Sequence, residues 1–414
     1  MSKGQSTYFP PISSDNWETV SPEAMGWCPQ NVNDLYNFLD DKGTKAFIVL
    51  KDGKIVIEKY YGTFTKDSTW YWASAGKSLA GFLTGMAQEK GLLNIQDKTS
   101  KYLGNGWAGM SQEKEDKITI WHQLSMTTGL DDNVLDDNCM LPSCLTYKAD
   151  AGTRWAYHNA PYRLVHEVIA KAWGNTYQNF MNTQLSIKTG ITGLWINGTM
   201  YSRPRNMARF GLLMMNEGDW DGQKILGDRT YIAAMVTPSQ SLNRSYGLLW
   251  WLNSQPSFML PDLQFVFNTH LIPNAPKEAW CALGKNDQKI YVLPSQRVVI
   301  IRMGNDGGEV TGAVSSFDNL LWEKINRLSC TSSLEGDDLD LAIFPNPAMD
   351  QLYIKNQGMA DTYQYKLYST DGLLLKEGQT NPIIDISSLN QGVYLIKVGK
   401  PGKSKHIVKK FIKL

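Results

Sequence analysis

The sequence has no run of about 18 consecutive apolar residues, which excludes a membrane-spanning helix. It has no excess of either charge: 41 Lys and Arg face 40 Asp and Glu, a net charge of +1. That balance excludes a broadly basic nucleic-acid binder. The first residues, MSKGQSTYFPP, contain no apolar core and are not a signal peptide as they stand. Histidine and cysteine are scarce, at five each. The cysteines are Cys28, Cys139, Cys144, Cys281 and Cys330, and no second Cys or His pair stands at zinc-ligand spacing, so no metal is expected. Cys139 and Cys144 flank Pro142 in a loop-like stretch, where a short disulfide or two free thiols are both readings. The odd number leaves one thiol free or paired with another chain.

What is abundant is apolar and aromatic. Hydrophobic residues make up 42% of the 414, with 14 Trp, 19 Tyr and 13 Phe, enough for a full globular core or an aromatic-lined cleft. Residues 46–61, AFIVLKDGKIVIEKYY, read as a hairpin turning at Asp52-Gly53. A second hairpin is expected over 289–303. Helical spacing marks 74–92, part of 117–130, 160–173, 204–217 and 311–328; the last carries Leu320, Leu321, Trp322 and Ile325. Strands at both ends with helices between predict an α/β (α+β) fold: an antiparallel sheet flanked by helices, plus a helical region. After Leu328 the polar stretch SCTSSLEGDDLDL reads as a linker. From Ala342 short strands and turns predict a small C-terminal β-sandwich, with ten Lys and no Arg from residue 340 on. The expected boundaries are an N-terminal arm over 1–19, a main domain over 20–329, a linker over 330–339 and the sandwich over 340–414.

Three short segments carry possible chemistry. Ser74-Ala75-Gly76-Lys77-Ser78 opens a helix, and a Ser and Lys three apart share one helix face. A serine hydroxyl needs such a neighbouring base to act as a nucleophile, and the helix N-terminus favours an anionic oxygen beside a neutral amine. Alone, the pattern also fits a capping serine and a solvated lysine. Gly76-Lys77-Ser78 has the ending of a phosphate loop, but Tyr71 stands where its first glycine belongs. The second segment is Tyr157-His158-Asn159. A tyrosine near an ammonium can become a phenolate-like base, and the amide can hold a substrate carbonyl; a turn with a packed aromatic is the plainer reading. The third, Ala282-Leu283-Gly284-Lys285-Asn286-Asp287-Gln288, enters a strand. Gly284 would let the backbone approach a ligand, and the next N–H could serve an oxyanion hole.

In this order and spacing the three segments resemble the serine β-lactamase and penicillin-binding-protein superfamily. The likeness is to the class C β-lactamase-like branch, which includes family VIII esterases and 6-aminohexanoate-oligomer hydrolases. TKAFIVLKDGKIVIEKYYG, ITIWHQLSMTTGLDD, SRPRNMARFGLLMMNEGDWDGQKIL and RSYGLLWWLN extend it over roughly residues 20–328. The resemblance implies Ser74 as nucleophile, Lys77 as its base partner, Tyr157 as general acid/base and Asn159 as a positioner. It places the oxyanion hole at the N–H groups of Ser74 and Lys285, beside Gly284.

One departure bears on substrate. The family's Lys/His-Thr/Ser-Gly strand reads Ala282-Leu283-Gly284 here, without the cation that holds a β-lactam carboxylate. Lys188-Thr189-Gly190 matches the letters but falls in a helical block only 31 residues after Tyr157, and is read as incidental. His158 is expected to face away from the nucleophile, and His122 and His166 to be core or surface residues. Asp131, Asp132, Asp136 and Asp137 lack the EF-hand spacing and read as a solvated loop over the cleft.

The tail has its own likeness. IFPNPAMDQLYI, YQYKLYSTDGLLLKEG, IIDISSLNQGVYLIKV and IVKKFIKL resemble the type IX secretion C-terminal sorting domain. That implies delivery across the outer membrane, often with cleavage and surface attachment, and a signal peptide removed or replaced before Gln5. A β-sandwich binding module is the plainer alternative.

The expectation is therefore a secreted or cell-surface serine hydrolase working through an acyl-enzyme without a cofactor. Its partners would be a small-molecule or oligomeric ester or amide and the secretion machinery, with no nucleic acid. Ester or linear amide hydrolysis ranks first, D-amino-acid peptidase activity next and β-lactamase activity third. The reading from another class is a catalytically silent surface binding protein of the same fold.

Overall fold

The computed structural model describes residues 7–308, 314–330, 342–355, 362–369, 372–380, 383–399 and 406–414. Residues 1–6 and most of the expected linker lie outside them. The chain divides into two compact units, residues 1–330 and 331–414.

The first unit is built on an antiparallel six-stranded sheet. Its strands are β1 (Thr44–Lys51), β2 (Lys54–Tyr60), β3 (Trp251–Leu252), β4 (Trp280–Gly284), β5 (Gln288–Leu293) and β6 (Val298–Gly304), in the order β2-β1-β6-β5-β4-β3. N- and C-terminal strands thus meet, with Ile48 opposite Ile301 and Val49 opposite Ile300. Residues 46–50 are all buried, because helices cover both faces. The β1–β2 turn needs two left-handed residues, and Asp52 and Gly53 supply them at φ 51° and 84°.

Six helices matter for the site: α1 (Pro29–Asp41), α2 (Gly76–Glu89), α3 (Ile120–Leu124), α4 (Asn159–Trp173), α5 (Pro204–Met215) and α6 (Ser316–Asn326). Neighbouring residues of β5 show why one helix lies on each face. Ile290 and Val299 meet α5 at Gly211, where an added Cβ would stand 2.4 Å from Val299. Tyr291 points the other way, edge-on to Trp322 of α6 at 5.4 Å. In α6 Leu321 and Trp322 are buried, but Leu320 is exposed, on the helix's outer side. Helix α2 is buried from Gly76 to Ala87, as befits a helix apolar on every side.

The helix expected within 117–130 is confined to α3. It starts on a capping box in which Thr119 and His122 bond reciprocally, and it ends where Met126 takes φ 61°.

Two disulfides are present. Cys139–Cys144 closes a five-residue loop, and Cys28–Cys330 joins the entry of α1 to the last residue of the unit. The same seam carries Cys28 N–H donating to Leu328 O and Cys330 N–H donating to Gly26 O, both bonds 2.8–2.9 Å long. Cys281 is free and buried in β4. No helix among the described residues is long and apolar enough to cross a membrane.

The second unit packs a three-stranded sheet (Ala342–Phe344, Gln351–Lys355, Ile383–Asp385) with a four-stranded one (Tyr363–Ser369, Leu374–Thr380, Gly392–Gly399, His406–Lys413). A shared core of Leu352, Leu367, Ile384, Ile396, Val398 and Phe411 lies between them. That is a β-sandwich.

Candidate active site

Ser74 sits in a single 3-10 turn, Ala73–Ala75, between the short strand Trp70–Tyr71 and α2. Ala73 holds a left-handed φ of 46°, a strained state for a residue with a Cβ. The turn is braced from two sides. Trp72 donates from N to Met200 O at 2.8 Å and from Nε1 to Ser202 Oγ at 2.8 Å. Gly284, at the end of β4, comes so close that a Cβ there would meet Trp72 O at 2.5 Å and Ser74 N at 3.1 Å. A glycine is therefore required where the sheet edge meets the Ser74 backbone.

Lys77 lies one turn into α2 and is 3% exposed. Its Nζ donates to Ser74 Oγ at 3.1 Å and to Asn159 Oδ1 at 2.6 Å. It also stands over the rings of Tyr162, at 4.3 Å, and Tyr157, at 4.9 Å. Burial pushes the Lys77 amine down to about 7; Asp137 works against that shift and Arg163 adds to it. Near neutral pH a substantial fraction of this amine is uncharged and able to take a proton.

Tyr157 and Asn159 stand at the start of α4. Burial drives the Tyr157 phenol well above its ordinary value, against a hydrogen bond with Ser74 that lowers it. The phenol is thus neutral at rest and suited to relaying a proton, rather than standing as a phenolate. Its ring is held by aromatics: Trp251 stacks on it at 5.8 Å, Tyr246 meets it edge-on at 6.1 Å, and Trp155 lies at 6.3 Å. Asn159 Nδ2 donates to Asp137 Oδ2 at 2.5 Å, which fixes the amide so that its oxygen faces Lys77. Asp137 also accepts from Ala160 N through its carbonyl, capping the first turn of α4.

Lys285, whose N–H is the second expected oxyanion donor, follows Gly284 directly. The turn it begins is anchored by buried charge. Lys289 Nζ lies 3.1 Å from Asp287 and 2.8 Å from Asp318, and Tyr291 OH donates to Asp318. Arg302 Nη1 donates to Asp287 O at 2.9 Å. Burial works to raise the Asp287 carboxyl, but Lys289, the Ser315 hydroxyl, the Gly307 amide and Arg302 hold it below the usual carboxylate range. Asn286, at φ 57°, donates to Tyr71 OH at 2.8 Å and ties this turn to the strand before Ser74.

The structure therefore brings Ser74, Lys77, Tyr157 and Asn159 together and sets Gly284 and Lys285 along one edge. It keeps other residues apart from them. Lys188 and Thr189 end a short helical turn, and Gly190 is its left-handed cap at φ 69°. Thr189 is fully buried and its carbonyl accepts from Arg209. His122 serves a helix cap, and His166 stacks on Tyr177 at 4.1 Å. His158 is 2% exposed, and neither ring nitrogen has a hydrogen-bond partner among the described residues. Burial holds it below its ordinary pKa. Ala282 is 1% exposed and adds no charge, whereas Lys285 is exposed. Of the four acids between 131 and 137, Asp132 pairs with Arg154 at 2.8 Å and Asp131 approaches Lys148 at 3.5 Å. No group of three or more His, Cys, Asp or Glu fit to hold a metal occurs among the described residues.

A Ser-x-x-Lys turn leading into a buried helix, with Gly284 of β4 against the serine backbone, carries the S-x-x-K element of the serine β-lactamases and penicillin-binding proteins. Residues 41–320 match the Beta-lactamase family, and the chain belongs to it. Residues 342–414 match the secretion system C-terminal sorting domain. An uncharacterised protein of Alkalihalophilus pseudofirmus is 23% identical over 325 residues, covering 68% of this chain and 89% of that one. Among solved structures, a candidate 6-aminohexanoate-dimer hydrolase of Bacillus anthracis superposes with a TM-score of 0.57 at 16% identity, covering 78% of this chain and 89% of that one. A family VIII carboxylesterase gives 0.54 at 16% identity, covering 73% and 98%. At such identities the structural likeness speaks for the fold alone.

Proposed function

We propose that the chain is a secreted serine hydrolase that cleaves ester or linear amide bonds through an acyl-enzyme on Ser74. The observation that carries this reading is the buried Lys77 amine, 3.1 Å from Ser74 Oγ and pushed down to about 7. Lys77 takes the serine proton as Oγ adds to the carbonyl carbon. The N–H groups of Ser74 and Lys285 hold the oxyanion, and Tyr157 passes a proton to the leaving group. Water then enters, is deprotonated by the same pair, and releases the acid. Labelling with a fluorophosphonate tests the assignment: the probe should attach to Ser74 in the folded protein, and a chain that stays unlabelled would instead be a silent binding protein of this fold.

Within that class, short-chain p-nitrophenyl esters should be turned over with a higher kcat/KM than nitrocefin. The reason is the uncharged, buried Ala282 on β4. A charge-assisted contact to a substrate carboxylate is worth roughly 1.5–3 kcal/mol, so its loss should cost β-lactams about 10–150-fold. A wild-type preference for nitrocefin would reverse the ranking.

We also propose that the C-terminal sandwich is an export address and no part of the cleft. Every residue assigned to the site precedes residue 331, in the first compact unit. A chain ending after Cys330, which retains the bond to Cys28, should fold and keep full esterase activity. In the native host it should remain inside the cell, as fractionation would reveal. An inactive but folded truncation would place part of the sandwich in the site, and surface delivery without the tail would favour a binding module.

A further inference from the structure

A cavity of about 750 Å³ in the first unit lies apart from Ser74. It opens between the N-terminal segment around Trp17, the turn ending at Ser186 and the start of α5. Its volume suits a small organic ligand. The lining is cationic: Lys66, Arg203, Arg205 and Arg209 face two carboxylates, Asp15 and Asp67. Three of the cations have acidic partners, Lys66 with Asp15 at 3.1 Å, Arg203 with Asp67 at 3.3 Å and Arg205 with Glu58 at 2.6 Å. Arg209 has none among the described residues, although it is only 7% exposed.

Buried charges are ordinarily paired, and an unpaired one is costly. The Arg209 guanidinium lies 5.2 Å from the Trp17 ring and 5.6 Å from that of Trp220. It donates to the carbonyls of Pro10, Pro11 and Thr189 at 2.7–3.2 Å. Those three bonds leave donors unused out of five. Burial and the adjacent Arg205 push its pKa down to about 10, so it is still charged at neutral pH.

The same lining carries a second irregularity. Residues Asn182–Ser186 form a π-helical turn, a distortion that often accompanies a binding site. Ser186 closes that turn, is 8% exposed, and its hydroxyl has no hydrogen-bond partner among the described residues.

We propose that this cavity binds a small oxyanion-bearing molecule, a carboxylate or a phosphate, with Arg209 as its counter-ion and Ser186 as a hydroxyl donor. The site is separate from Ser74, since none of Ser74, Lys77, Tyr157 or Asn159 lines it.

Isothermal titration of the full chain at neutral pH and low salt tests the proposal, with inorganic phosphate and D-glucuronate as probes. Saturable one-to-one binding of at least one is expected, and which one binds distinguishes a phosphate from a carboxylate ligand. Arg209→Gln should weaken binding by about 10–150-fold and Ser186→Ala by about 2–10-fold, as for charged and neutral hydrogen bonds. Ester turnover should be unchanged in Ser186→Ala. Should Arg209→Gln fail to fold, Arg203→Ala, which removes an exposed cation of the same lining, takes its place beside Ser186→Ala. Binding of both probes weaker than about 10 mM would overturn the proposal, as would undiminished affinity in the folded variants.

Discussion

Ser74→Ala should lower turnover of p-nitrophenyl esters by a factor on the order of 10⁶ while leaving the protein folded. The loss is large because no covalent intermediate can form without Oγ, and the remaining donors only bind the substrate. The fold should survive because the hydroxyl caps nothing: α2 has no side-chain cap. What disappears is the hydrogen bond from Lys77 and the one shared with the Tyr157 phenol, and Lys77 keeps its 2.6 Å bond to Asn159. The net cost is about 0.5–1.5 kcal/mol for each. Steady-state kinetics beside a thermal melt check both halves. Hydrolysis at the wild-type rate would remove Ser74 from the mechanism, and with it the acyl-enzyme.

Lys77→Ala and Tyr157→Phe should each reduce kcat/KM by about 10²–10⁴-fold. The double variant should lose little more than the worse single one, because both groups serve one proton path. Multiplicative losses would mean that they act independently. The pH dependence separates the roles further. With the amine pushed down to about 7, the base is disabled by protonation below that pH. The wild-type rate should therefore climb through pH 7 and level off above it, and Lys77→Ala should abolish that limb. Stability follows the same group with a definite sign. The unfolded lysine holds its proton up to its ordinary 10.5, the folded one only below about 7. Between these values the unfolded state binds more protons, so stability should rise with pH. The Lys77→Ala variant should lose this part of the slope.

Much of the fold was legible because its signals are local. Asp52-Gly53 marks a turn wherever it occurs between alternating apolar runs, and the Leu79-Phe82-Leu83-Met86 spacing marks α2 without reference to partners. Ser74 and Lys77 were legible for the same reason, since a separation of three fixes a shared helix face. What escaped depends on contacts between distant segments. Asp137 orients the amide of Asn159 from 22 residues away, and nothing in a run of loop acids singles it out. The aromatic collar of Trp155, Tyr246 and Trp251 around Tyr157 is assembled from separate parts of the chain. Spacing also misled: α3 is shorter than its apolar pattern because Met126 leaves the helical region. That Arg209 is buried with no ion-pair partner among the described residues could not be inferred either, since that is a property of its surroundings.

The seam at Cys28–Cys330 has a mechanical meaning. Were the C-terminal unit to hold the chain at a surface, drag and tension would enter through residue 331, the first residue past the bond. That load meets a covalent junction at once. Force passes from Cys330 to Cys28 and is returned to the chain at the start of α1, while the 301 residues enclosed between the two cysteines form a closed ring. Pulling on the tether therefore cannot peel α6 from the sheet and unzip the strands in sequence. The turn carrying Ser74 lies inside that ring, shielded from tension along such a tether.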